Sequence, residues 1–393
     1  MNKYLTVVFL LLTFPLFSQQ NKDIIKESTY YFTLDSLGNF DGYGADFIGE
    51  KITESQFFLI GEQHNIHAIE TLVRSLVPLF KEKGYNHYVT EVGPVAAQKL
   101  MELNQDSISL KSYYSKYSSQ LNLAPFGFFG TVEENKTLKE LGRYGINLCG
   151  IDFENYASYL AIIDIIYAQS DKGKIPENLY KNVYSSLESE YKKGGNNFNP
   201  DLMNMLLNSD KLKEFLFLAK NEINNPVIKQ FESSLKINHR LTLGFWGDRV
   251  DNMKNNFVSY YHNQKANEDS LKVFIKLGAV HTARGLSFSG NLEVGNLIYE
   301  LANLNQSKTY STIIFTRYML NEETGEIEDL MEEEEKDLLK YSYTDKWTVI
   351  DLNKLKKLSI QTNSQVSESI LSYMQKYDAI VLPPQTKYSD KIY

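Results

Sequence analysis

Four apolar segments of the chain end abruptly in acidic or histidine residues, and this feature most constrains the fold. The segments are 57–60, 88–90, 146–151 and 273–280. The residues that follow them are, in chain order, Glu62 with His64, Glu91, Asp152 and His281. Short apolar runs of this kind are typical of buried strands, and ligands of an open parallel sheet bind beyond the carboxyl ends of its strands. We therefore expect these side chains to converge on one crevice.

The alternation of strand and helix patterns predicts an α/β fold with a mainly parallel central sheet flanked by helices. Apolar residues recur at helical spacing from Ile66 to Phe80, between the first two strands, which predicts a right-handed parallel crossover. Later strands are predicted at 311–317, 347–351 and 378–382. Residues from about 155 to 240 carry helical patterns without a clear strand, which predicts a large helical insertion that caps the crevice. Residues 19 to about 50 are polar and glycine-rich and predict a lead-in with little regular structure.

Composition narrows the class of protein. The chain has 393 residues and a formal net charge of -8, without a basic stripe, so a nucleic-acid partner is not expected. Lys3, an apolar run over 4–17 and Ser18 predict a signal peptide at 1–18, followed by a single domain at 19–393. The protein is then periplasmic or secreted, with no transmembrane anchor after cleavage. Cys149 is the single cysteine of the sequence, which excludes an intrachain disulfide.

Glu62 and His64 flank Gln63 where the first strand ends. The carboxylate can orient the imidazole as a general base for water, or both side chains can bind a divalent metal. The structural alternative is that His64 caps the following helix while Glu62 pairs with an arginine. His67 opens that helix and can face either the crevice or solvent, so it is a candidate substrate-binding residue.

Glu91 ends the adjacent strand and should lie within a strand spacing or two of Glu62. Two carboxylates this close repel each other unless a proton, a metal or an arginine lies between them, and Arg249 and Arg284 are the candidate arginines. The planar guanidinium of Arg249 suits a carboxylate or a substrate oxygen, although an exposed arginine on an amphipathic helix is the simpler interpretation. Asp152 can join the same site or cap the helix that starts near Tyr156.

His281 follows the longest apolar strand and precedes Thr282 and Arg284. A lone histidine is more often a core residue, but this position at a strand end favours a second imidazole in the site. No Gly-x-Ser-x-Gly motif, phosphate-binding glycine loop or His-Glu-x-x-His helix occurs in the sequence. A serine hydrolase or a nucleotide-binding protein is therefore disfavoured.

At these residues the chain resembles the superfamily that joins erythromycin esterases, ChaN-type haem-binding proteins and TIKI/TraB-type proteins. The resemblance rests on six short motifs of the sequence, namely 61–64, 90–93, the Arg249, Met253 and Asn256 spacing, 278–281, 347–352 and 377–384. The overall layout is most similar to the erythromycin esterases. One residue separates Glu62 from His64, as in the haem-binding and TIKI-like branches, whereas the esterases usually have two.

Each branch of this superfamily implies a different chemistry. The esterase branch implies that His64 is the general base and that Glu91 orients it or shares its proton, while His281 and Arg249 stabilise an oxyanion or position the substrate. The TIKI-like branch implies a divalent metal, with His64, Glu62 or Glu91, and His281 as ligands and bound water as nucleophile. The ChaN branch implies haem, held with a tyrosine ligand and without a reaction.

The sequence therefore predicts an exported, esterase-like hydrolase that cleaves an ester, lactone or related bond. The nucleophile is water activated by histidine and glutamate, either with or without the assistance of a metal. The alternative is a non-catalytic protein of the cell envelope that binds haem or another small ligand. The candidate catalytic residues are His64, Glu91, His281, Glu62 and Arg249. The candidate substrate-binding residues are Arg284, Asp152 and His67.

Overall fold

The structure is a computed structural model, and it describes residues 23–393 apart from 106–108, 119–123, 171–173, 195–199, 223–225 and 269. The predicted signal peptide at 1–18 lies outside the described residues. Within the described part of the chain, none of the helices combines the length and the apolar character that a membrane span requires.

The described residues form a nine-stranded sheet with the order β2-β1-β10-β11-β7-β3-β6-β4-β5. Its strands are β1 Thr29–Leu34, β2 Phe40–Asp41, β3 Phe57–Glu62, β4 Tyr85–Thr90, β5 Asn147–Gly150, β6 Lys272–Gly278, β7 Thr309–Ile314, β10 Trp347–Asp351 and β11 Ala379–Leu382. All neighbours from β11 to β5 are parallel, and the pairs on the β10 side are antiparallel. A separate hairpin joins β8 Tyr318–Leu320 to β9 Ile327–Asp329. The predicted mainly parallel sheet is confirmed.

Helices cover both faces of this sheet. They are α1 Ile24–Glu27, α2 Tyr43–Glu54, α3 His67–Glu82, α4 Pro94–Gln105, α5 Leu110–Ser115, α6 Val132–Arg143, α7 Tyr159–Gln169, α8 Glu177–Gly194, α9 Pro200–Asn208, α10 Asp210–Glu222, α11 Pro226–Thr242, α12 Trp246–Lys265, α13 Val294–Leu304, α14 Lys336–Leu339, α15 Leu352–Thr362 and α16 Glu368–Lys376. Successive residues of β3 alternate between the faces: Phe58 joins the core that contains α3 and α6, and Phe57 joins the core that contains α12 and α13. This two-sided burial explains why the parallel strands read as continuous apolar runs.

The crevice lies where the chain direction across the sheet reverses. Strand β3 lies between β6 and β7. From β3 the chain moves towards one edge of the sheet, to β4 on the far side of β6. From β6 it moves towards the opposite edge, to β7 on the far side of β3. Gly278 ends β6 at this position. A Cβ at Gly278 would lie 3.0 Å from the imidazole of His64 and 3.1 Å from Oε2 of Glu91, so glycine leaves the room in which these two side chains meet.

The helical cap is built from α7 to α11, and the described residues between 155 and 240 contain no strand. The cap is fixed to the sheet domain just after β5. The amide of Glu154 donates to Oγ of Ser234 at 2.9 Å, and Nδ2 of Asn238 donates to the carbonyl of Glu154 at 3.0 Å. Both partners belong to α11, so this helix is fixed to the segment that follows β5.

The expectation of a lead-in with little regular structure at 19–50 is wrong for the described residues. Strand β1 pairs antiparallel with β10, and the ring of Phe32 stacks on Trp347 at a centroid distance of 5.5 Å. Helix α2 begins after Gly42, whose φ of 114° explains one of the glycines. The aromatic run at 30–32 is the strand signal, and a sheet edge supplied by β10 satisfies its backbone.

Candidate active site

Glu62 and His64 form the first imidazole–carboxylate pair at the end of β3. Nδ1 of His64 lies 3.2 Å from Oε1 of Glu62, whose side chain is 3 % exposed, while the imidazole is 37 % exposed. Burial alone would lower the pKa of His64, but the hydrogen bond and the charge of Glu62, together with the charge of Glu91, raise it above its ordinary value. Because Nδ1 donates to the carboxylate, Nε2 carries the lone pair of the neutral ring.

A buried lysine stands behind this pair. Nζ of Lys276 lies 2.7 Å from Oε1 of Glu62 and 2.6 Å from Oε1 of Glu70, and each of the three side chains is at most 3 % exposed. Burial would raise the pKa of Glu62, but the charge of Lys276 and the interactions with His64 lower it to about 2. Burial also raises the pKa of Glu70, and the nearby charge of Glu62 acts in the same direction. Lys276 therefore keeps Glu62 ionised in the core.

Glu91 lies beyond the end of β4 and is held by a guanidinium and a backbone amide. Nη2 of Arg249 is 2.5 Å from Oε1 of Glu91 and 2.6 Å from Oδ2 of Asp152, and the amide of Gly278 donates to Oε2 of Glu91 at 2.6 Å. Burial would raise the pKa of Glu91, but the charges of His281, Arg249 and His64 and the amide of Gly278 lower it. Arg249 is thus the cation that allows the two buried carboxylates to lie side by side.

Helix α12 positions Arg249 through two neighbours on the same helical face. Met253 is fully buried in the core beneath the sheet, and Nδ2 of Asn256 donates to the carbonyls of Ile151 and Asp152 at 2.9 Å and 3.2 Å. Residues four and seven positions after Arg249 lie close to it along a helix, so the packing of α12 fixes where its guanidinium points. The carboxylate of Asp152 accepts from the amide of Phe153 and from Arg249, and it does not cap the turn at 156–158.

His281 forms the second imidazole–carboxylate pair. It lies in a short 3-10 turn after β6, and its Nδ1 is 2.8 Å from Oε2 of Glu293, the residue that precedes α13. Its Nε2 is 3.6 Å from Oε1 of Glu91. Burial would lower the pKa of His281, but the hydrogen bond to Glu293 and the charge of Glu91 raise it. Both imidazoles therefore have a carboxylate at Nδ1, and both lie beside Glu91.

Two cavities open onto this cluster. The first has a volume of about 370 Å³ and is lined by Glu91, Asp152 and Arg249, by aromatic rings that include Phe128 and Phe153, and by α11 of the cap. The second has a volume of about 380 Å³ and is lined by His281, Glu293 and Val250. Trp246 and Arg249 line both. Glu91, Asp152, Arg249 and His281 thus border space of the size that small-molecule sites usually have, and His64, which lines neither cavity, packs on Phe128 of the first at a ring-centroid distance of 4.6 Å.

Glu154 is a further carboxyl group in the wall of the first cavity. Its side chain is fully buried, its Oε1 accepts from the amide of Val95 at 2.7 Å, and its Oε2 accepts from the amide of Ala96 at 3.4 Å. These amides belong to the first turn of α4. Burial raises the pKa of Glu154 to about 8 despite them. The group is therefore mostly protonated at neutral pH.

Two predicted substrate-binding residues lie elsewhere. His67 begins α3, its Nε2 is 3.4 Å from Oε1 of Glu133, and it lines a different cavity with Thr386 and Lys387. Nη1 of Arg284 donates to Oδ1 of Asp378, just before β11, at 2.9 Å, and Arg284 lines neither cavity of the cluster. The structure therefore does not bring these two residues to the others.

The structural alternative for Glu62 and His64, in which His64 caps α3 and Glu62 pairs with an arginine, also differs from the observed contacts. Helix α3 begins at His67 after the N-cap residue Ile66, and the amide of Ala68 in its first turn donates to Oγ1 of Thr386 at 3.1 Å, so His64 does not cap it. The partner of Glu62 is a lysine rather than an arginine. Asn155, not Asp152, caps the turn at 156–158.

The metal-ligand set that the TIKI-like branch implies does not fit the observed contacts. No group of three or more histidine, cysteine, aspartate or glutamate side chains in the described part of the chain is arranged to hold a metal ion. Glu62 is paired with Lys276, and Glu91 is paired with Arg249. A metal that used these carboxylates would have to displace a cation from each of them.

Sequence reasoning missed four of the groups described above, which are Lys276, Glu70, Glu293 and Glu154. Lys276 interrupts an apolar strand, and a charge at such a position must find a partner in the core. Glu293 stands directly before an apolar helix, where a cap is the simpler assignment. Glu70 and Glu154 give no comparable signal.

Comparison with known proteins supports the fold. No protein-family model matches the chain, and no curated protein matches it either. Three solved structures match nearly the whole chain. A protein from Bacillus cereus has 16% identity and a TM-score of 0.52, covering 94% of this chain and 98% of its own. A succinoglycan biosynthesis protein has 17% identity and a TM-score of 0.57, covering 95% and 98%.

The third structure is a histidine-to-asparagine variant of the erythromycin esterase EreC in its open conformation. It has 13% identity and a TM-score of 0.53, covering 92% of this chain and 99% of its own. Identities this low show a common fold and leave the activity open. The predicted resemblance is confirmed at that level: this chain has the fold of the erythromycin esterase EreC.

Proposed function

We propose that this protein is a hydrolase that cleaves an ester, lactone or related bond with water activated by His64. The observation that carries the proposal is the pairing of two imidazoles with two carboxylates around one buried glutamate, at the carboxyl ends of parallel strands. The fold shared with a protein named as an esterase supports the same reaction class.

His64 is the general base in this proposal. Glu62 accepts the hydrogen bond of Nδ1, so the neutral ring offers Nε2 to a water molecule. As the water oxygen forms a bond to the carbonyl carbon, its proton passes to His64. The negative charge of Glu62, held in the core by Lys276, stabilises the imidazolium that forms.

His281 is the general acid. The hydrogen bond to Glu293 and the charge of Glu91 raise its pKa, which favours the protonated ring that a general acid requires. When the bond between the carbonyl carbon and the leaving oxygen breaks, that oxygen takes the proton of His281 and leaves as an alcohol. His64 then loses its proton to solvent and His281 regains one, which restores the starting state.

Arg249 acts on Glu91 and Asp152 in this scheme. Its Nε and Nη2 atoms contact carboxylate oxygens at 2.5 to 3.2 Å, and the side chain is 17 % exposed. Arg249 is therefore a positioning residue that keeps Glu91 ionised between the imidazoles. Glu91 in turn stabilises the protonated form of whichever imidazole carries the charge.

We also propose that residues 1–18 direct export and are removed, so that the mature domain acts in the periplasm or outside the cell. Mass spectrometry of the amino-terminal peptide of the protein, purified from its native host, tests this proposal. A mature chain that begins near Gln19 is expected, and a chain that retains residue 1 contradicts it.

The test of the hydrolase uses chromogenic esters, p-nitrophenyl acetate and p-nitrophenyl butyrate, with the purified protein. The variant His64→Asn is expected to lower kcat/KM by about 10² to 10⁴. The matched control is His262→Asn, because His262 is exposed in the last turn of α12 and should stay within about twofold of wild type. Equal activity of His64→Asn and wild type, with circular dichroism unchanged, refutes the assignment.

A further inference from the structure

A further concavity, with a volume of about 470 Å³, lies outside the candidate active site. It is formed by the turn at 36–38, by α3 and by α6. Four basic side chains line it, and we call it the basic concavity; they are Arg74, Lys136, Lys139 and Arg143. The formal net charge of the chain is -8, so this local excess of positive charge has the opposite sign to the net charge of the protein.

The positive charge of the basic concavity is only weakly neutralised by the protein itself. Glu140 is the one carboxylate among the described lining residues, and its Oε2 is 3.5 Å from Nη1 of Arg143. Nζ of Lys136 is 3.7 Å from Oε1 of Glu133. Both distances exceed that of a good hydrogen bond, and the two basic side chains are 71% and 50% exposed, so these pairs contribute little.

Arg74 and Lys139 carry charge that no described carboxylate within 4.0 Å offsets. Arg74 is half-buried, whereas Lys139 is exposed. A half-buried guanidinium loses part of its hydration without gaining a counter-ion. A planar fork of this kind matches phosphate oxygens in two parallel hydrogen bonds. These two residues therefore point to an anionic ligand.

The carboxylate of Asp35, next to the turn at the rim, is hydrogen-bonded within that turn. Oδ1 of Asp35 accepts from the amides of Leu37 and Asn39 at 2.9 and 2.8 Å, and Oδ2 accepts from Nδ2 of Asn39 at 2.9 Å. The hydroxyl groups of Ser36, Ser75 and Tyr144 line the concavity. The side chain of Leu37 also lines it and is 85% exposed. Pro78 is a second apolar lining residue, so the site offers cations, hydroxyl groups and apolar contacts.

We propose that the basic concavity binds a ligand that carries phosphate groups, at a site separate from hydrolysis. Four cations against one carboxylate suit more than one phosphate charge, and the volume admits a diphosphate. Two sources share this chemistry. One is a soluble phosphate ester or diphosphate, and the other is the head group of an anionic lipid, whose chain would meet Leu37.

Isothermal titration with inorganic pyrophosphate and co-sedimentation with vesicles of phosphatidylcholine, with and without phosphatidylglycerol, separate the two sources. The double variant Arg74→Gln/Lys139→Gln is expected to weaken binding by about tenfold or more, since hydrogen bonds to charged groups are strong. Because Arg74 is half-buried, Lys139→Gln/Arg143→Gln serves as a second variant with exposed positions only. Binding should also weaken with added sodium chloride.

The matched control is Lys356→Gln/Lys357→Gln, which removes the same charge from exposed positions on α15 and should leave binding unchanged. Pyrophosphate binding that the concavity variants weaken identifies a soluble ligand, and vesicle binding that they weaken identifies a lipid head group. Binding to neither probe overturns the proposal. So does binding that the control variant weakens as much as the concavity variants.

Discussion

Oε1 of Glu62 lies 2.7 Å from Nζ of Lys276, and both side chains are at most 3% exposed. The same carboxylate oxygen is 3.2 Å from Nδ1 of His64. The carboxylate that orients the proposed general base is therefore shared with a cation on the neighbouring strand β6. Lys276 also contacts Glu70, so one buried positive charge serves two glutamates.

Replacing Lys276 with methionine should destabilise the protein by roughly 3 to 5 kcal/mol. The substitution keeps the volume but leaves Glu62 and Glu70 buried without their cation, and removal of one partner from a buried ion pair costs about that much. Urea denaturation measures the free energy of unfolding. A loss below about 1 kcal/mol would show that the lysine adds little to the fold.

The control for this variant is Lys272→Met, on the same strand. Lys272 is half-buried near the strand's start, and its Nζ donates to the carbonyl of Thr53 at 3.0 Å without an ion pair among the described residues. The control should lose less than about 1 kcal/mol. The double variant Glu62→Gln/Lys276→Met should lose less than the sum of its single variants, because the two side chains contact each other.

The plot of kcat/KM for ester hydrolysis against pH should be bell-shaped. His64 must be neutral to accept a proton, so kcat/KM rises as pH rises through its pKa. His281 must be protonated to donate, so kcat/KM falls as pH rises through its pKa. Both pKa values are raised above the ordinary value, which places both limbs above about pH 6.5. A profile of kcat/KM from pH 5 to 10 tests this.

Glu293→Gln should move only the alkaline limb, and toward lower pH. The carboxylate of Glu293 raises the pKa of His281 through its hydrogen bond and its charge, so its loss lowers that pKa. Glu293 does not contact the His64 pair in the described structure, and the acidic limb should stay in place. A shift of the acidic limb, or equal loss of rate at every pH, would indicate a merely structural role.

The positions of the site strands could be predicted from the sequence, because strands buried on both faces are continuous apolar runs that end in polar residues. Glu62, Glu91 and His281 were found this way. The structure pairs Glu62 with Gly278 across β3 and β6, places Oε2 of Glu91 at the amide of Gly278, and places Nε2 of His281 3.6 Å from Oε1 of Glu91. The order of the strands in the sheet is also restricted, because two parallel strands of one sheet must be joined by a right-handed crossover connection.

The partners of these residues could not be predicted in the same way. Glu293 meets His281 because α13 starts beside the turn after β6, and no local pattern records that packing. Lys276 lies in an apolar run, where its charge signals a partner without saying which one. Strand β1 needs β10, more than 300 residues later, to become part of the sheet. In each case, tertiary contacts decide what local patterns leave open.

Chelation should leave hydrolysis unchanged, since Glu62 and Glu91 are occupied by Lys276 and Arg249. Activity after dialysis against EDTA is expected to stay within about twofold of the untreated protein. Loss of activity that zinc or manganese restores would establish the metal mechanism instead.

Added haem should give no shifted Soret band, and a stoichiometric band would favour the ligand-binding alternative.

Glu154→Gln should change how stability depends on pH. The pKa of Glu154 is raised by burial to about 8 in the folded protein, above its ordinary value of about 4.3 in an unfolded chain. Between these values the folded state holds a proton that the unfolded state has released, so wild-type stability falls as pH rises. This group alone contributes a slope of about 1.4 kcal/mol per pH unit, and glutamine, which cannot ionise, removes it.

Urea denaturation of wild type and variant at pH 5, 6.5 and 8 measures this difference. Relative to wild type, Glu154→Gln should become steadily more stable from pH 5 to pH 8, whatever its offset at pH 5. The control Glu300→Gln, at an exposed position on α13, should show a difference that does not vary with pH. A constant difference for Glu154→Gln would mean that Glu154 is ionised in the folded protein, and that the amides of Val95 and Ala96 outweigh its burial.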